Sequence, residues 1–295
     1  MRVLGLFWLL AWPAVGEGLE ALVKDAAAKT VANFAPALKA DQLSITVIDL
    51  KSGESGSYRG DAEVYPASVV KLFYLVAAQA QMEAGTLKDT PELERAIRDM
   101  IVDSSNDATG LVLDSLTGTT GGPELGPEEF TAWMEKRNAV NRYFAGLGYT
   151  GINVNQKAFA EGPYGRERQA RGPNFENNNR LTTEATAKLL KSIVEHKVVT
   201  PERCDAMLKL LHRDYEGPAK DPDDQGHGFT SRALPPGSQY YSKAGWTSTT
   251  RHDATYVELP NGARYIAVIF TVGNAKNPAI LPFVGKMIVE RFYRR

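Results

Sequence analysis

Ser68-Val69-Val70-Lys71 stands at the start of a stretch with helical periodicity. A spacing of three along a helix puts hydroxyl and amine on one face, a turn apart. There a desolvated amine can take the hydroxyl proton and leave a nucleophilic oxygen, while the helix N-terminus offers partial positive charge and N–H groups to a developing oxyanion. Two further stretches carry complementary groups: Ser104-Ser105-Asn106, between two helical patterns, and Lys243-Ala244-Gly245-Trp246-Thr247, in a strand pattern. An isolated Ser-x-x-Lys is usually an ordinary helix turn; the conjunction of the three suggests acyl transfer. No metal set competes with it, since Cys204 is the single cysteine and His196, His212, His227 and His252 form no H-x-x-x-H pair of the kind zinc requires. Neither a metal nor a cofactor is expected.

The elements that must position these residues follow from periodicity. Leu19 to Phe34 repeats apolar residues at helical spacing and Pro36 ends the pattern; Leu43 to Asp49 alternates as a strand, with a turn at Lys51-Ser-Gly-Glu and a returning strand near Ser57-Tyr58. Helical patterns then occupy 66–84, 91–102, 106–116, 127–146, 183–197 and 201–213, followed by strands at 240–244, 252–259 and 265–272 and a closing helix at 279–293. Strands at both chain ends with helices between them imply an α+β fold, one sheet assembled from both ends and a helical block inserted into it. Gly162 to Asn179, rich in Gly, Arg and Asn, is expected to be a long loop of the kind that often serves function.

Taken in order, Ser-x-x-Lys, Ser-x-Asn and Lys-x-Gly resemble the penicillin-recognising serine hydrolases, the class A β-lactamases and related D,D-peptidases. The likeness extends to the hairpin before Tyr65-Pro-Ala-Ser68, to Met100-Ile-Val-Asp-Ser-Ser-Asn-Asp-Ala, to the Leu181-Thr-Thr-Glu-Ala helix start and to the final strands. It implies a five-stranded antiparallel sheet flanked by helices and packed on an all-helical lobe of about 66–215, as one catalytic domain over 17–295 with the site between the lobes. It further implies that Ser68 is acylated, Lys71 accepts or relays its proton, Ser104 passes a proton to the leaving nitrogen and Asn106 holds the substrate amide. Lys243 would be a fixed charge facing Ser104 and a substrate carboxylate. The backbone N–H groups of Ser68 and Trp246, beside Gly245, would form the oxyanion hole, and Thr247 and Arg251 would help bind the carboxylate. The implied partner is a small β-lactam or a peptidoglycan-like peptide, acted on by a monomer.

Several residues depart from that pattern. Ser105 stands where class A enzymes usually carry Asp, and Ala244 where they carry Ser or Thr, so one hydroxyl contact to a carboxylate is missing. The glutamate that activates the deacylating water has no Glu-x-x-x-Asn context here. Glu167 is the best-spaced candidate before Thr182, ahead of Glu161 and Glu176, although all three read more readily as solvated loop carboxylates. With a positioned base the chain is a β-lactamase; without one it is a penicillin-binding peptidase or an esterase with a long-lived acyl-enzyme. A reading of another class, a non-catalytic binding protein of the same fold, gives no reason for Ser68, Lys71, Ser104, Asn106, Lys243 and Gly245 to occur together.

Composition excludes other classes. The 295 residues carry 34 Lys+Arg against 35 Asp+Glu, a formal net charge of -1, with the basic residues scattered, which leaves no footprint for nucleic acid. Residues 1–16 read as a leader: Arg2, an apolar run from Val3 to Val15, then small residues ending at Gly16. That run is short of the ~20 residues of a membrane span, so the protein is expected to be exported, periplasmic or secreted, without a stable membrane anchor. Cys204 is expected to be a buried small hydrophobe.

Overall fold

The computed structural model describes residues 18–293, apart from 160, 161, 220, 222 and 223; the expected leader and Glu161 lie outside the described residues. Helix α1 (Leu19–Asn33) is followed by strands β1 (Leu43–Asp49) and β2 (Ser55–Tyr58). Helices α2 (Lys71–Glu83), α3 (Pro91–Ile101), α4 (Asn106–Thr117), α5 (Pro127–Arg137), α6 (Ala139–Gly146), α7 (Gly165–Arg171), α8 (Thr183–Val194) and α9 (Pro201–Leu211) come next. Strands β3 (Gln239–Trp246), β4 (Thr250–Glu258) and β5 (Arg264–Val272) and helix α10 (Ile280–Tyr293) complete the chain. The five strands form one antiparallel sheet in the order β2-β1-β5-β4-β3, so β1 from the N-terminal end pairs with β5 from the C-terminal end. This is the expected α+β arrangement.

The sheet is buried on both faces, and strand alternation sorts its side chains between two cores. Leu43, Ile45, Val47, Tyr240, Ala244, Val257 and Ile269 pack against α1 and α10, with Leu19, Val23, Leu281 and Val284. Ala254, Tyr256, Ile266, Val268 and Phe270 face the helical lobe, where α2 buries Leu72, Phe73, Leu75 and Val76 against α8 and α9. Helix α2 is buried over most of its length: every residue from Lys71 to Gln79 is buried. A helix buried on all sides belongs in a core, and this one places its first residue, Lys71, at the cleft between sheet and helical lobe.

Three elements differ from the periodicity. The 127–146 pattern breaks at Asn138, whose φ of -80° and ψ of 8° leave the helical region and separate α5 from α6. The helical pattern at 66–84 begins with a 3-10 turn, Ala67–Val70, before the α-helix proper. The stretch expected as one long loop contains α7, and its Arg168 and Arg171 guanidinium groups stack over Phe175 and Phe159. Too short for a clear apolar stripe, α7 is held by those contacts and by ion pairs. Among the described residues, no helix is long and apolar enough to cross a membrane.

Candidate active site

Ser68 sits in the Ala67–Val70 turn, half-buried, directly ahead of Lys71. The turn is forced into an unusual shape, because Ala67 has φ +47°, the left-handed region that costs a non-glycine residue about 1–2 kcal/mol. Gly245 of β3 presses on it: a Cβ there would lie 2.7 Å from Pro66 O and 2.9 Å from the backbone nitrogens of Ser68 and Val69. Only glycine lets β3 come this close to the turn that carries Ser68.

Lys71 is fully buried. Its Nζ donates to Ser104 O at 2.6 Å and to Asn106 Oδ1 at 2.9 Å, and lies 3.2 Å from Ser104 Oγ. Burial pushes its pKa down to about 7, because desolvation disfavours the ammonium. Ser104 itself has φ +54°, which turns its hydroxyl between two amines: Lys243 Nζ donates to Ser104 Oγ at 3.1 Å. Asn106 is the first residue of α4, and Ser105 is its N-cap, accepting from Ala108 N at 3.1 Å. The Ser at 105 thus fulfils a local role that Asp fills equally well.

Lys243 meets Ser104 from β3. It is fully buried, and burial together with Lys71 and Arg213 pushes its pKa well below the usual lysine value. Its Nζ also reaches Ala244 O at 2.9 Å and the side-chain oxygen of Gln225. Gln225 was not legible as a site residue, since a glutamine among Asp, Gly and His in a polar stretch carries no motif. In the fold it bridges the cleft: its Nε2 donates to Val102 O at 3.0 Å and Ile101 O at 3.3 Å, at the end of α3. Arg213 makes the parallel connection, from Ser242 O to Ile101 O. Removing the glutamine by Gln225→Ala is expected to lower unfolding stability in urea by about 2 kcal/mol, the order of a lost charge-assisted hydrogen bond with its unmet partners. It is also expected to slow acylation about tenfold by loosening Lys243 from Ser104.

Strand parity separates the remaining expected residues. Lys243, Gly245 and His252 share the face toward the helical lobe; Ala244, Trp246 and Arg251 lie on the other. Trp246 packs its ring against Phe229, 5.5 Å between centroids, on the face of β3 opposite to Lys243. Arg251 is buried: its guanidinium lies over the Phe229 ring at 4.3 Å and donates to Gly228 O at 2.7 Å. Thr247 is a turn residue, its Oγ1 within 3.0 Å of Thr250 Oγ1. Trp246, Thr247 and Arg251 together line a groove of about 770 Å³ that also takes in Arg232 and Lys276. Next to Arg251, the buried Asp253 accepts from Thr230 N, Thr230 Oγ1, Tyr240 Oη and Ser242 Oγ, which ties β3 to β4 beneath the site.

Glu167 is not a solvated carboxylate. It is 4% exposed, and Arg137 grips both its oxygens at 2.7 and 3.1 Å, with Lys157 at 3.2 Å. Arg137, fully buried, also reaches Asp114 at 3.0 Å and stacks over Trp133. Glu176 is exposed and accepts from Asn174 N within its loop. Among the described residues Lys71 has no carboxylate partner. No group of three or more His, Cys, Asp or Glu among them is arranged to hold a metal ion.

The profile of the β-lactamase enzyme family matches residues 26–94 and 88–292. The chain belongs to the β-lactamase enzyme family. Its fold is that of the penicillin-recognising serine hydrolases. A PBP-A mutant, solved as its acyl-enzyme complex with penicillin G, is similar over 95% of this chain and 98% of its own, with a TM-score of 0.69 and 20% identity. A β-lactamase from Sphaerobacter thermophilus matches over 93% and 98%, with a TM-score of 0.65 and 19% identity. A class A β-lactamase representing the last common ancestor of Gram-negative bacteria matches over 92% and 99%, with a TM-score of 0.66 and 17% identity. No curated protein matches the chain.

Proposed function

We propose that this β-lactamase family member is an exported, monomeric serine hydrolase that opens β-lactam amide bonds through an acyl-enzyme on Ser68. The observation that carries the reading is the buried Lys71 amine, with a pKa pushed down to about 7, one turn from Ser68 and bonded to Ser104 and Asn106. In its neutral form Lys71 spends two N–H groups on Ser104 O and Asn106 Oδ1, leaving its lone pair for the Ser68 proton. The Ser68 oxygen attacks the lactam carbonyl, and the developing oxyanion is met by the N–H groups of Ser68 and Trp246. As the C–N bond breaks, Ser104 Oγ delivers its proton to the leaving nitrogen and is reprotonated from Lys71, with Lys243 holding the hydroxyl from the other side. Asn106, its Oδ1 engaged, presents its Nδ2 to the substrate's acyl amide.

The clamp on Glu167 favours the second reading, a penicillin-binding peptidase or esterase in which water attacks the acyl-enzyme slowly. Hydrolysis of a chromogenic cephalosporin, with intact mass taken before and after exposure, separates the two: fast turnover without an adduct supports the β-lactamase, a lasting adduct the peptidase or esterase. Neither turnover nor adduct would overturn both.

The acylation rate carries a pH signature. Below about pH 7 Lys71 is an ammonium without a lone pair, so the rate is expected to fall about tenfold per pH unit on the acid side of an inflection near 7 and to level off above it. Stopped-flow labelling with a fluorescent penicillin between pH 5 and 9 checks this; a flat profile would remove Lys71 as the base.

A further inference from the structure

His252 is buried on β4 directly opposite Gly245, on the face that meets the nucleophile turn. Its ring is fully assigned by its partners: Nδ1 accepts from Thr271 N at 3.1 Å, and Nε2 donates to Tyr65 O at 2.9 Å. One accepting and one donating nitrogen define a neutral ring with its proton on Nε2. Burial keeps it neutral by pushing its pKa down to about 4, and the ring rests on Phe270 at 4.7 Å. The carbonyl it holds belongs to the residue two before Ala67, whose backbone is left-handed, and three before Ser68. The sheet therefore grips this turn twice, by Gly245 against Pro66 O and the nitrogens of Ser68 and Val69, and by His252 on Tyr65 O. The second grip is the directional one, because a van der Waals contact limits approach whereas a hydrogen bond fixes the orientation of the peptide it holds.

We propose that His252 is a positioning residue for acyl transfer: through Tyr65 O it holds the strained Tyr65–Ala67 turn so that Ser68 stays aligned with Lys71 and the oxyanion N–H groups. The inference rests on the reading of Ser68 as the acylated nucleophile. Such a residue acts on the rate of the chemical step and not on the capture of substrate, since misalignment by a fraction of an ångström lowers reactivity while leaving the binding surface in place.

The test separates the two hydrogen bonds of the ring. His252→Phe keeps the contact with Phe270 and loses both; His252→Asn is long enough to accept from Thr271 N but not to reach Tyr65 O; His252→Gln is long enough to donate to Tyr65 O. With a fluorescent penicillin, the maximal acylation rate is expected to fall about 100-fold in the Phe and Asn variants and to recover to within about tenfold of the unmutated chain in the Gln variant, with the non-covalent affinity within about threefold throughout. Equal rates in the Gln and Asn variants, or rates in all three that follow their thermal midpoints, would overturn the proposal. A measurement without substitution stands beside it: the ¹⁵N shifts of the four histidines in the unmutated chain must show one ring protonated at Nε2 down to pH 5, and a proton on Nδ1 of His252 would equally overturn it. Label on the unmutated chain that Ser68→Ala abolishes, combined with unaffected His252 variants, removes this inference alone. Absence of label on the unmutated chain removes the nucleophile assignment and this inference with it.

Discussion

Ser68→Ala is expected to abolish covalent labelling by a penicillin, with an acylation rate at least about 1,000-fold lower and no adduct in the intact mass. The size of the effect follows from chemistry that no neighbour can replace. Ser104 Oγ, the other hydroxyl on the same amines, already bridges Lys71 and Lys243 at 3.2 and 3.1 Å, and its backbone is locked at φ +54°. It can pass a proton, but it does not stand in the Ala67–Val70 turn against which β3 closes. The substitution should leave the fold alone, because Ser68 is half-buried and no side-chain hydrogen bond of its Oγ is found among the described residues. A thermal midpoint within about 2 °C of the unmutated chain is the accompanying expectation. Label persisting in the Ala variant would move the nucleophile elsewhere.

Arg137→Ala is expected to have the largest effect on stability, lowering the unfolding free energy by about 3–5 kcal/mol, or about 10 °C in thermal midpoint. The guanidinium is fully buried and holds Glu167 and Asp114, two carboxylates on different elements, while Lys157 bridges the same pair. Removing it leaves Glu167, at 4% exposure, with Lys157 alone. Asp114 already shows the cost of its position: burial raises its pKa despite Lys157 and Arg137 beside it. The same geometry makes a second result expected. If the network serves to pin α7 and not to activate water, Glu167→Gln destabilises the chain yet leaves the lifetime of the penicilloyl adduct within about threefold. A lifetime lengthened by orders of magnitude would instead return Glu167 to the role of deacylation base. Unfolding in urea and time-resolved intact mass provide the two readouts on the same samples.

The Arg137 network also marks a limit of sequence reading. Spacing from Thr182 singled out Glu167, and a glutamate in a polar, Gly- and Arg-rich stretch was read as solvated. What buries it is Arg137, 30 residues earlier at the end of α5, and Lys157. Neither is periodic with the glutamate, and α7 itself, seven residues long, is too short for periodicity to report. Arg251 illustrates the opposite case. Its place on the face of β4 away from Lys243 was in principle available from strand alternation, but only once the register of β4 on β3 is known, and register is a property of paired strands.

What the sequence by itself determined is local or periodic. Ser68 and Lys71 are three apart where a 3-10 turn runs into α2, so their place on one side of the chain follows from local helical geometry. The order of elements, the alternating strands at both ends and the apolar run of α2 are likewise patterns of near neighbours, and they suffice for the α+β class and for its family. What only the tertiary structure decided is everything that meets across the cleft: Ser104 between two lysines 172 positions apart in the chain, Gln225 on the end of α3, and His252 on the carbonyl of Tyr65, separated from it by 187 positions. The physical reason is burial. Lys71 titrates near 7, Lys243 lies well below its usual value and His252 stays neutral because packing removes water from groups that, read singly along the chain, are an ordinary lysine, lysine and histidine.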